Sequence, residues 1–256
     1  MENRGMIQYT EFKDKVVLLT GANSGIGHAQ AEAFLVQGAV VIGLDKQVAA
    51  MEQLAEAYSA FSFYQLDVTD HEKMKAIVAE ILMKSTRVEY LINTAGILDD
   101  YLPTLETSEE LWQKVMATNV TAVFHLTNLL LPHMLENKCG TIINTASIAS
   151  LVAGGGGAAY TAAKHALAGY TKQLALDYAK DGIHVNAIAP GAIQTPMNAA
   201  DFAGDAQMAK WVAEETPLKR WAQPKEVADL TLFLASEASA YLQGAIVPID
   251  GGWLLK

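Results

Sequence analysis

Short apolar runs alternate with stretches of helical periodicity along the whole chain, and this alternation constrains the fold more than any other feature. The apolar runs cover residues 16–20, 39–44, 61–66, 88–92, 140–145, 182–188 and 244–249. The helical stretches cover residues 28–37, 48–58, 71–85, 108–136, 160–180 and 224–235, with a bend or break expected at Pro132. Strands that alternate with helices form parallel sheets covered on both faces. The sequence therefore predicts an α/β fold, with a doubly wound parallel sheet of about seven strands.

Neither a linker nor a repeat divides the 256 residues, so we expect one domain, residues 1–256. Residues 1–14 are polar and mixed in charge, which predicts an N-terminal arm outside the sheet. Residues 193–217 carry apolar side chains in weak helical order after the sixth apolar run. We expect this segment to be a mobile lid over a binding site.

Charge and cysteine content exclude several classes of protein. The formal net charge of −10 disfavours nucleic acid or an anionic membrane as a partner. No apolar run approaches the roughly 20 residues that span a bilayer, and residues 1–15 do not resemble a signal peptide. A single cysteine, Cys139, cannot form an intrachain disulfide, which suits the cytoplasm. The histidines lack metal-ligand spacing, so we expect no metal site.

A glycine-rich loop stands between the first apolar run and the first helical stretch. Its residues are Gly21, Asn23, Ser24, Gly25, Ile26 and Gly27. Glycines let the backbone turn sharply and approach a diphosphate, which the N–H groups and dipole of a helix N-terminus then bind. The alternative is a plain glycine-rich turn. We favour a dinucleotide site, and hence a Rossmann fold, because an acidic residue follows at the expected distance.

That acidic residue is Asp45, at the end of the second apolar run. Its carboxylate can accept hydrogen bonds from both hydroxyls of an adenosine ribose. A 2′-phosphate there would meet like charge, at a cost of up to about 4 kcal/mol for a unit pair at about 4 Å and an effective dielectric near 20. Lys46 is the only nearby cation in the sequence. We therefore expect NAD(H) to be preferred over NADP(H).

Polar and small residues also follow the third and fourth apolar runs. Asp67 is suited to a hydrogen bond with the adenine ring, and Asn93, Ala95 and Gly96 to a wall along the adenosine ribose. Each of them alone is equally compatible with an ordinary turn at the end of a strand.

Tyr160 and Lys164 are four residues apart on a predicted helix, so they share one face. A nearby ammonium favours phenolate, which predicts a tyrosine pKa below the usual value of about 10. Such a tyrosine can act as a proton donor and acceptor. The alternative is an exposed pair at helical spacing with no chemical role.

Taken together, these motifs resemble those of the short-chain dehydrogenase/reductase family from Lys15 to Trp253. The matching motifs, in the family's order, are Thr20-Gly21-x-x-x-Gly25-x-Gly27, Asp67-Val68, Asn93-x-Ala95-Gly96, Asn119-Val120, Ser147, Tyr160-x-x-x-Lys164 and Pro190-Gly191. Ser147 precedes Tyr160 by 13 positions, the usual separation. Thr94 is a mild departure, because Asn is commoner there.

The resemblance implies a role for each matched residue. Tyr160 would be the general acid and base, Lys164 would lower its pKa and bind the nicotinamide ribose, and Ser147 would bind the substrate oxygen. Asn119 would hold a water of a proton relay, or else bond to backbone. The residues expected along the nicotinamide are Pro190, Gly191, Ile193 and Thr195.

The substrate is less defined. The pattern is closest to 3-oxoacyl-carrier-protein reductases, which implies hydride transfer to or from a carbonyl or secondary alcohol, such as a 3-oxoacyl thioester. The alternative is a dehydrogenase of a small alcohol, a diol or a sugar. The segments beside the expected mouth carry the cations Lys138 and Lys180 but also acidic residues, namely Glu136, Asp177 and Asp181, and this mixture disfavours docking of an acidic carrier protein. The resemblance also implies a homotetramer. A remote alternative is a non-catalytic NAD-binding protein, which the intact Asn119, Ser147, Tyr160 and Lys164 set disfavours.

Overall fold

The computed structural model describes residues 7–85 and 87–255. Its sheet has seven parallel strands in the order β3-β2-β1-β4-β5-β6-β7. The strands are β1 Val16–Thr20, β2 Val40–Asp45, β3 Phe61–Gln65, β4 Tyr90–Asn93, β5 Gly140–Thr145, β6 Ile183–Pro190 and β7 Ile246–Ile249. The predicted doubly wound parallel sheet is confirmed.

Helices cover both faces of this sheet. They are α1 Gly25–Val36, α2 Ala49–Ala57, α3 His71–Lys84, α4 Glu109–Met116, α5 Ala122–Glu136, α6 Ala158–Tyr178, α7 Gln207–Glu215 and α8 Pro224–Ala235. Successive residues of a strand point to opposite faces. Leu18 accordingly packs in the core shared with α3, α5 and α6, whereas Val17 and Leu19 pack in the core shared with α1, α2 and α8.

The break expected at Pro132 is wrong. Helix α5 continues through Pro132 to Glu136, and the irregular turn lies earlier, where Ala117–Thr121 form one π-helical turn between α4 and α5. The whole stretch Glu109–Glu136 is long and apolar enough to cross a membrane by length and composition. Its inner side packs on the sheet core, with Leu126 and Leu130 fully buried, as in a core helix of a globular protein.

The described part of the N-terminal arm is more than a polar extension. Thr10–Phe12 form a 3₁₀ turn, and the Phe12 side chain is fully buried. Its ring packs edge-on against Phe34 at 5.1 Å and Tyr90 at 5.3 Å. The arm therefore closes the core beneath β4 and α1.

Strand β1 pairs with β2 on one side and β4 on the other, so the direction of winding reverses between β1 and β4. Open parallel sheets bind ligands at such a switch point, beyond the carboxyl ends of the strands. The glycine-rich loop and the residues after β4, β5 and β6 all lie at this edge.

Candidate active site

A cavity of about 530 Å³ opens at the carboxyl edge of the sheet. Of the predicted site residues, it is lined by Gly21, Ser24, Gly25, Ile26, Gly27, Gly96, Ser147, Tyr160, Lys164, Pro190, Gly191, Ile193 and Thr195. The fold thus brings the glycine-rich loop, the Tyr160 helix and the start of segment 193–217 to one cavity. The lining does not include Asn23, Asp45, Asp67, Val68, Asn93, Ala95 or Asn119.

The glycine-rich loop has the geometry of a diphosphate cradle. Gly21 has φ +77°, and a Cβ there would lie 3.0 Å from the Ala95 backbone nitrogen. A Cβ on Gly27 would collide with the Gly21 carbonyl oxygen. Helix α1 begins at Gly25 without a hydrogen bond from its N-cap side chain, Ser24, so its first N–H groups face the cavity without that partner. The donors and the space suit a dinucleotide diphosphate.

Asn23 and Asp45 organise the loop next to this cradle. The Asp45 carboxylate accepts hydrogen bonds from the backbone N–H groups of Asn23 at 3.1 Å and Gln47 at 3.0 Å. The Asn23 side chain accepts one from Ala50 N–H at 2.8 Å, within the first turn of α2. These contacts hold a carboxylate beside the glycine-rich loop, with lone pairs remaining for a ribose.

The residues after β3 and β4 are placed differently. Asp67 accepts hydrogen bonds from the Thr69 backbone and hydroxyl, and these bonds hold the pKa of Asp67 below its usual range. Asn93 is buried, and its side chain donates a 2.9 Å hydrogen bond to Asn144 inside the sheet. The Asn93 side chain therefore links β4 to β5, and its place along the adenosine ribose stays a prediction.

Three side chains meet at the centre of the cavity. Tyr160 and Lys164 are buried on α6, and the Lys164 Nζ lies 5.4 Å from the centre of the Tyr160 ring. The Lys164 ammonium donates a 2.8 Å hydrogen bond to the Thr145 carbonyl at the end of β5. Ser147 follows β5; its hydroxyl oxygen accepts a 3.1 Å hydrogen bond from Ala149 N–H, and the hydroxyl lies near the Tyr160 phenol. This trio can hold an oxygen atom and exchange a proton with it.

The pKa values of the pair differ from the sequence-based expectation. Burial raises the pKa of Tyr160 to about 12, although the nearby Ser147 hydroxyl acts in the opposite direction. Burial lowers the pKa of Lys164 to about 8. Desolvation by burial is the largest cause of both shifts, and the Lys164 ammonium donates its hydrogen bond to the Thr145 carbonyl.

Asn119 lies in the π-helical turn. Its side chain accepts a 2.9 Å hydrogen bond from Ile97 N–H and donates another, also 2.9 Å, to the Ile97 carbonyl. A Cβ built on Gly96 would lie 3.2 Å from the Asn119 oxygen and 3.6 Å from Lys164 Nζ. Asn119 therefore fastens the loop after β4 next to Lys164, which is its backbone-bonding alternative, and the relay role stays a prediction.

Comparison with known proteins decides the family. A family model described as enoyl-(acyl carrier protein) reductase matches residues 21–254. The chain belongs to the short-chain dehydrogenase/reductase family. It is therefore an oxidoreductase, and its fold binds a nicotinamide cofactor.

Relatives in this family match nearly end to end. The chain is 36% identical over 250 residues to the 3-oxoacyl-(acyl-carrier-protein) reductase of Thermotoga maritima, covering 94% of this chain and 98% of the relative. It is 39% identical over 252 residues to the 2-dehydro-3-deoxy-D-gluconate 5-dehydrogenase of Bacillus subtilis, covering 95% and 96%.

Solved structures of the family share the fold. The structure of ElxO with NADP bound superposes with a TM-score of 0.89 at 32% identity, covering 95% of this chain and all of that chain. A 4-hydroxyisoleucine dehydrogenase complexed with NADH has the same TM-score, identity and coverage, 0.89, 32% and 95%.

The sequence did not reveal Asp99 as a site residue. Its carboxylate is fully buried and accepts 2.8 Å hydrogen bonds from Gly157 N–H and Tyr160 N–H, at the start of α6. The N-cap of α6 is Gly157, which has no side chain to cap the helix. The sequence offered one signal for this contact. A long helix begins directly after a glycine run and has no capping residue of its own, so a cap from elsewhere in the chain could be expected.

Thr94, the departure from the family's pattern, belongs to a buried polar network. Its hydroxyl lies 2.6 Å from the Gln30 side-chain oxygen and 3.0 Å from the Thr145 hydroxyl. Gln30 in turn donates to Thr231 on α8 at 2.9 Å. The network joins α1, α8 and the ends of β4 and β5, and it includes the residue whose carbonyl binds Lys164.

Proposed function

We propose that the protein catalyses reversible hydride transfer between NAD(H) and a carbonyl or secondary alcohol. The observation that carries this proposal is the meeting of Ser147, Tyr160 and Lys164 at the wall of a cavity whose other end is the glycine-rich loop. This arrangement also favours catalysis over cofactor binding alone, because the proton-transfer groups face the space where a substrate must enter.

The chain's own residues would divide the work. The glycine-rich loop would hold the diphosphate, Asp45 the adenosine ribose, and the segment Pro190–Thr195 the nicotinamide. When bound, the nicotinamide supplies or accepts the hydride. Ser147 would orient the substrate oxygen, and Tyr160 would give it a proton in reduction and take one in oxidation. A protonated Lys164 favours the phenolate that the oxidation direction requires.

The preference for NAD(H) rests on Asp45, held beside the cradle by Asn23 N–H and Gln47 N–H. Among the solved relatives, ElxO and a gluconate 5-dehydrogenase from Beutenbergia cavernae carry NADP, whereas a 4-hydroxyisoleucine dehydrogenase carries NADH. We expect kcat/KM to be at least about tenfold higher with NADH than with NADPH. Asp45→Ala combined with Lys46→Arg should narrow that difference, whereas equal use of both cofactors by the unmodified protein would refute the assignment.

Tyr160→Phe tests the proposed chemistry. We expect the variant to bind NADH, measured by cofactor fluorescence, and to lose at least about 99% of turnover, the usual range for removal of a general acid. The half-buried Tyr178 at the far end of α6 offers a matched control, Tyr178→Phe, which should keep normal turnover. Near-normal activity of Tyr160→Phe would exclude this mechanism.

Two substrate groups fit the family: 3-oxoacyl thioesters, and small alcohols, diols or sugars. A substrate panel separates these two groups, with nicotinamide absorbance as the readout. The panel contains the acetoacetyl thioester of N-acetylcysteamine, short diketones and sugar alcohols. Asp177 and Asp181, which were expected beside the mouth, lie at and just after the C-terminal end of α6, whereas the cavity is lined by Tyr160 and Lys164 near the start of that helix. They therefore give no argument against a carrier-bound acyl group.

We also propose a cytoplasmic homotetramer. Its support is exposed apolar surface on α5, α6 and the segment before β7, where Phe124, Leu176 and Tyr241 are 48%, 77% and 103% exposed. Large exposed apolar side chains of this kind mark interaction surfaces. Light scattering after size exclusion should give four chains, and Phe124→Glu should lower that number.

A further inference from the structure

The half of the cavity beyond Tyr160 has a distinct chemical character. Its wall includes Trp211, Trp221, Trp253, Met197 and Met208, mostly from the lid segment 193–217 and the loop after it. Trp211 and Trp253 meet edge-to-face at 6.4 Å. Met208 and Trp211 are both 53% exposed, so they leave apolar surface for a ligand to cover.

The polar atom of Trp221 is already engaged. Its indole N–H donates a 2.9 Å hydrogen bond to the Ala209 carbonyl, and its ring packs on Phe202 at 4.9 Å. Trp221 therefore offers the cavity apolar ring surface rather than a hydrogen-bond donor. A ligand here gains from burying apolar or aromatic groups.

The charged side chain that faces this half of the cavity is negative. Among the described residues that line the cavity, the charged side chains are Lys164 and Asp201. Lys164 is buried and bonded to Thr145, so it faces the reaction centre rather than the lid. The lid's Lys210 is not part of the lining, and Arg220 pairs with Glu226 at 2.6 Å. A carboxylate on the substrate would meet Asp201 and no cation.

Tyr101 also lines the cavity and lies near both Asp201 and Tyr160. Asp100 and Tyr101 have φ of +54° and +57°, a left-handed conformation that costs free energy and recurs at functional sites. This turn brings the Tyr101 side chain into the cavity lining. Burial raises the pKa of Tyr101, and the nearby carboxylates Asp201 and Asp99 add to that effect. Its hydroxyl therefore stays protonated as a neutral donor beside Asp201.

We propose that the substrate of the proposed oxidoreductase is a ketone or secondary alcohol whose distal part is apolar, aromatic or cationic and carries no negative charge, and that Asp201 and Tyr101 select it. This inference rests on the proposed function, because it names the substrate class of the same site. Sugar acids and other carboxylates are thereby excluded, since they need a cation that this wall lacks.

A series with one reacting ketone tests the selection. Benzylacetone, its para-carboxylate and its para-aminomethyl derivative share the ketone and differ in distal charge. We expect kcat/KM for the neutral and ammonium compounds to exceed that for the carboxylate by at least about tenfold, as a partly screened unit charge predicts. Asp201→Asn should remove most of this ratio and Asp201→Lys should invert it.

Asp205→Asn is the matched control, since Asp205 is an exposed lid carboxylate that does not line the cavity. It should leave the ratio unchanged. Quenching of tryptophan fluorescence by the same three compounds, in the presence of NADH, reports binding without turnover.

The outcomes separate the two proposals. Absence of turnover for every ketone, with the binding order neutral and ammonium above carboxylate, would overturn the proposed function and support the selection. Two results would overturn the selection while leaving the proposed oxidoreductase activity intact. One is a carboxylate compound with the same kcat/KM and the same affinity as the other two compounds. The other is a kcat/KM ratio that does not change in Asp201→Lys. Absence of binding by all three would also overturn the selection.

Discussion

The backbone N–H of Tyr160 donates a 2.8 Å hydrogen bond to one oxygen of Asp99, and the other oxygen accepts an equally long bond from Gly157 N–H. The carboxylate comes from the loop after β4, 61 residues before Tyr160. It satisfies two of the N–H groups that every helix leaves open at its start, and its charge favours the positive end of the helix dipole. Asp99 thus ties the position of the Tyr160 phenol to the loop that carries Tyr101.

Asp99→Asn should disturb both stability and proton transfer. An amide keeps one acceptor and loses the charge, so we expect the free energy of unfolding to fall by about 1–3 kcal/mol. Asp99 contributes to the raised pKa of Tyr160, so the alkaline limit of the pH–rate profile for reduction should move to lower pH. Urea unfolding and kcat/KM from pH 6 to about 11 check this.

Asp100→Asn is the control, because Asp100 is exposed and Asn tolerates its left-handed backbone. If the pH–rate profile of Asp99→Asn matched that of the unmodified protein while the variant was less stable, Asp99 would act only as a structural cap of α6.

Lys164 should make stability depend on pH. Burial lowers its pKa from 10.5 to about 8, so between these values the unfolded chain binds more protons and the free energy of unfolding contributed by this group rises with pH. Below pH 8 the buried charge costs stability, on the order of 3 kcal/mol. Lys164→Met should therefore be more stable than the unmodified protein near pH 7, and the advantage should fade towards pH 10.5.

Chemical denaturation at several pH values measures this difference. Lys172→Met, at an exposed position of the same helix, should show no such trend. If Lys164→Met were more stable than the unmodified protein by the same free energy at every pH from 7 to 10.5, the lysine would not be desolvated in solution.

Much of the fold could be predicted because it depends on local pattern. Apolar runs and helical periodicity locate strands and helices, and the handedness of parallel connections then allows few topologies. The glycine-rich loop and the Tyr160–Lys164 pair could be recognised because their function depends directly on residue type and on spacing along the chain. The apolar side chains of residues 193–217 marked this segment as part of a binding site, and several of them line the cavity. Its movement as a lid stays a prediction.

The features that were missed depend on distant partners. Asp99 in a loop reads as an ordinary surface carboxylate until the fold buries it against α6. The pKa of Tyr160 is raised by burial, and Lys164 donates its hydrogen bond to the Thr145 carbonyl. Neither fact follows from the four-residue spacing of Tyr160 and Lys164. Pro132 was expected to bend or break its helix, but α5 continues unbroken to Glu136 because its tertiary packing outweighs the local preference.

The Thr94 network should be sensitive to loss of a single hydroxyl. Thr94→Val removes the partner of the Gln30 side-chain oxygen and of Thr145, and a buried acceptor without a partner costs about 1–3 kcal/mol. Thr94→Ser keeps the hydroxyl and should lose less than about 1 kcal/mol. Urea unfolding of both variants checks the difference, and equal losses would show that the methyl packing matters rather than the hydrogen bonds.

Phe12 should contribute to stability as a core residue, although it lies in a segment expected to be a polar arm. Its side chain is fully buried between Phe34 and Tyr90, so Phe12→Ala should lower the free energy of unfolding by about 3–5 kcal/mol. Ile7 on the same arm is 68% exposed, and Ile7→Ala should change it by no more than about 0.5 kcal/mol. Thermal and urea unfolding distinguish them, and NADH turnover at low temperature should survive both, because the arm contacts the core face opposite α6. A small effect of Phe12→Ala would mean that the arm detaches from the core in solution.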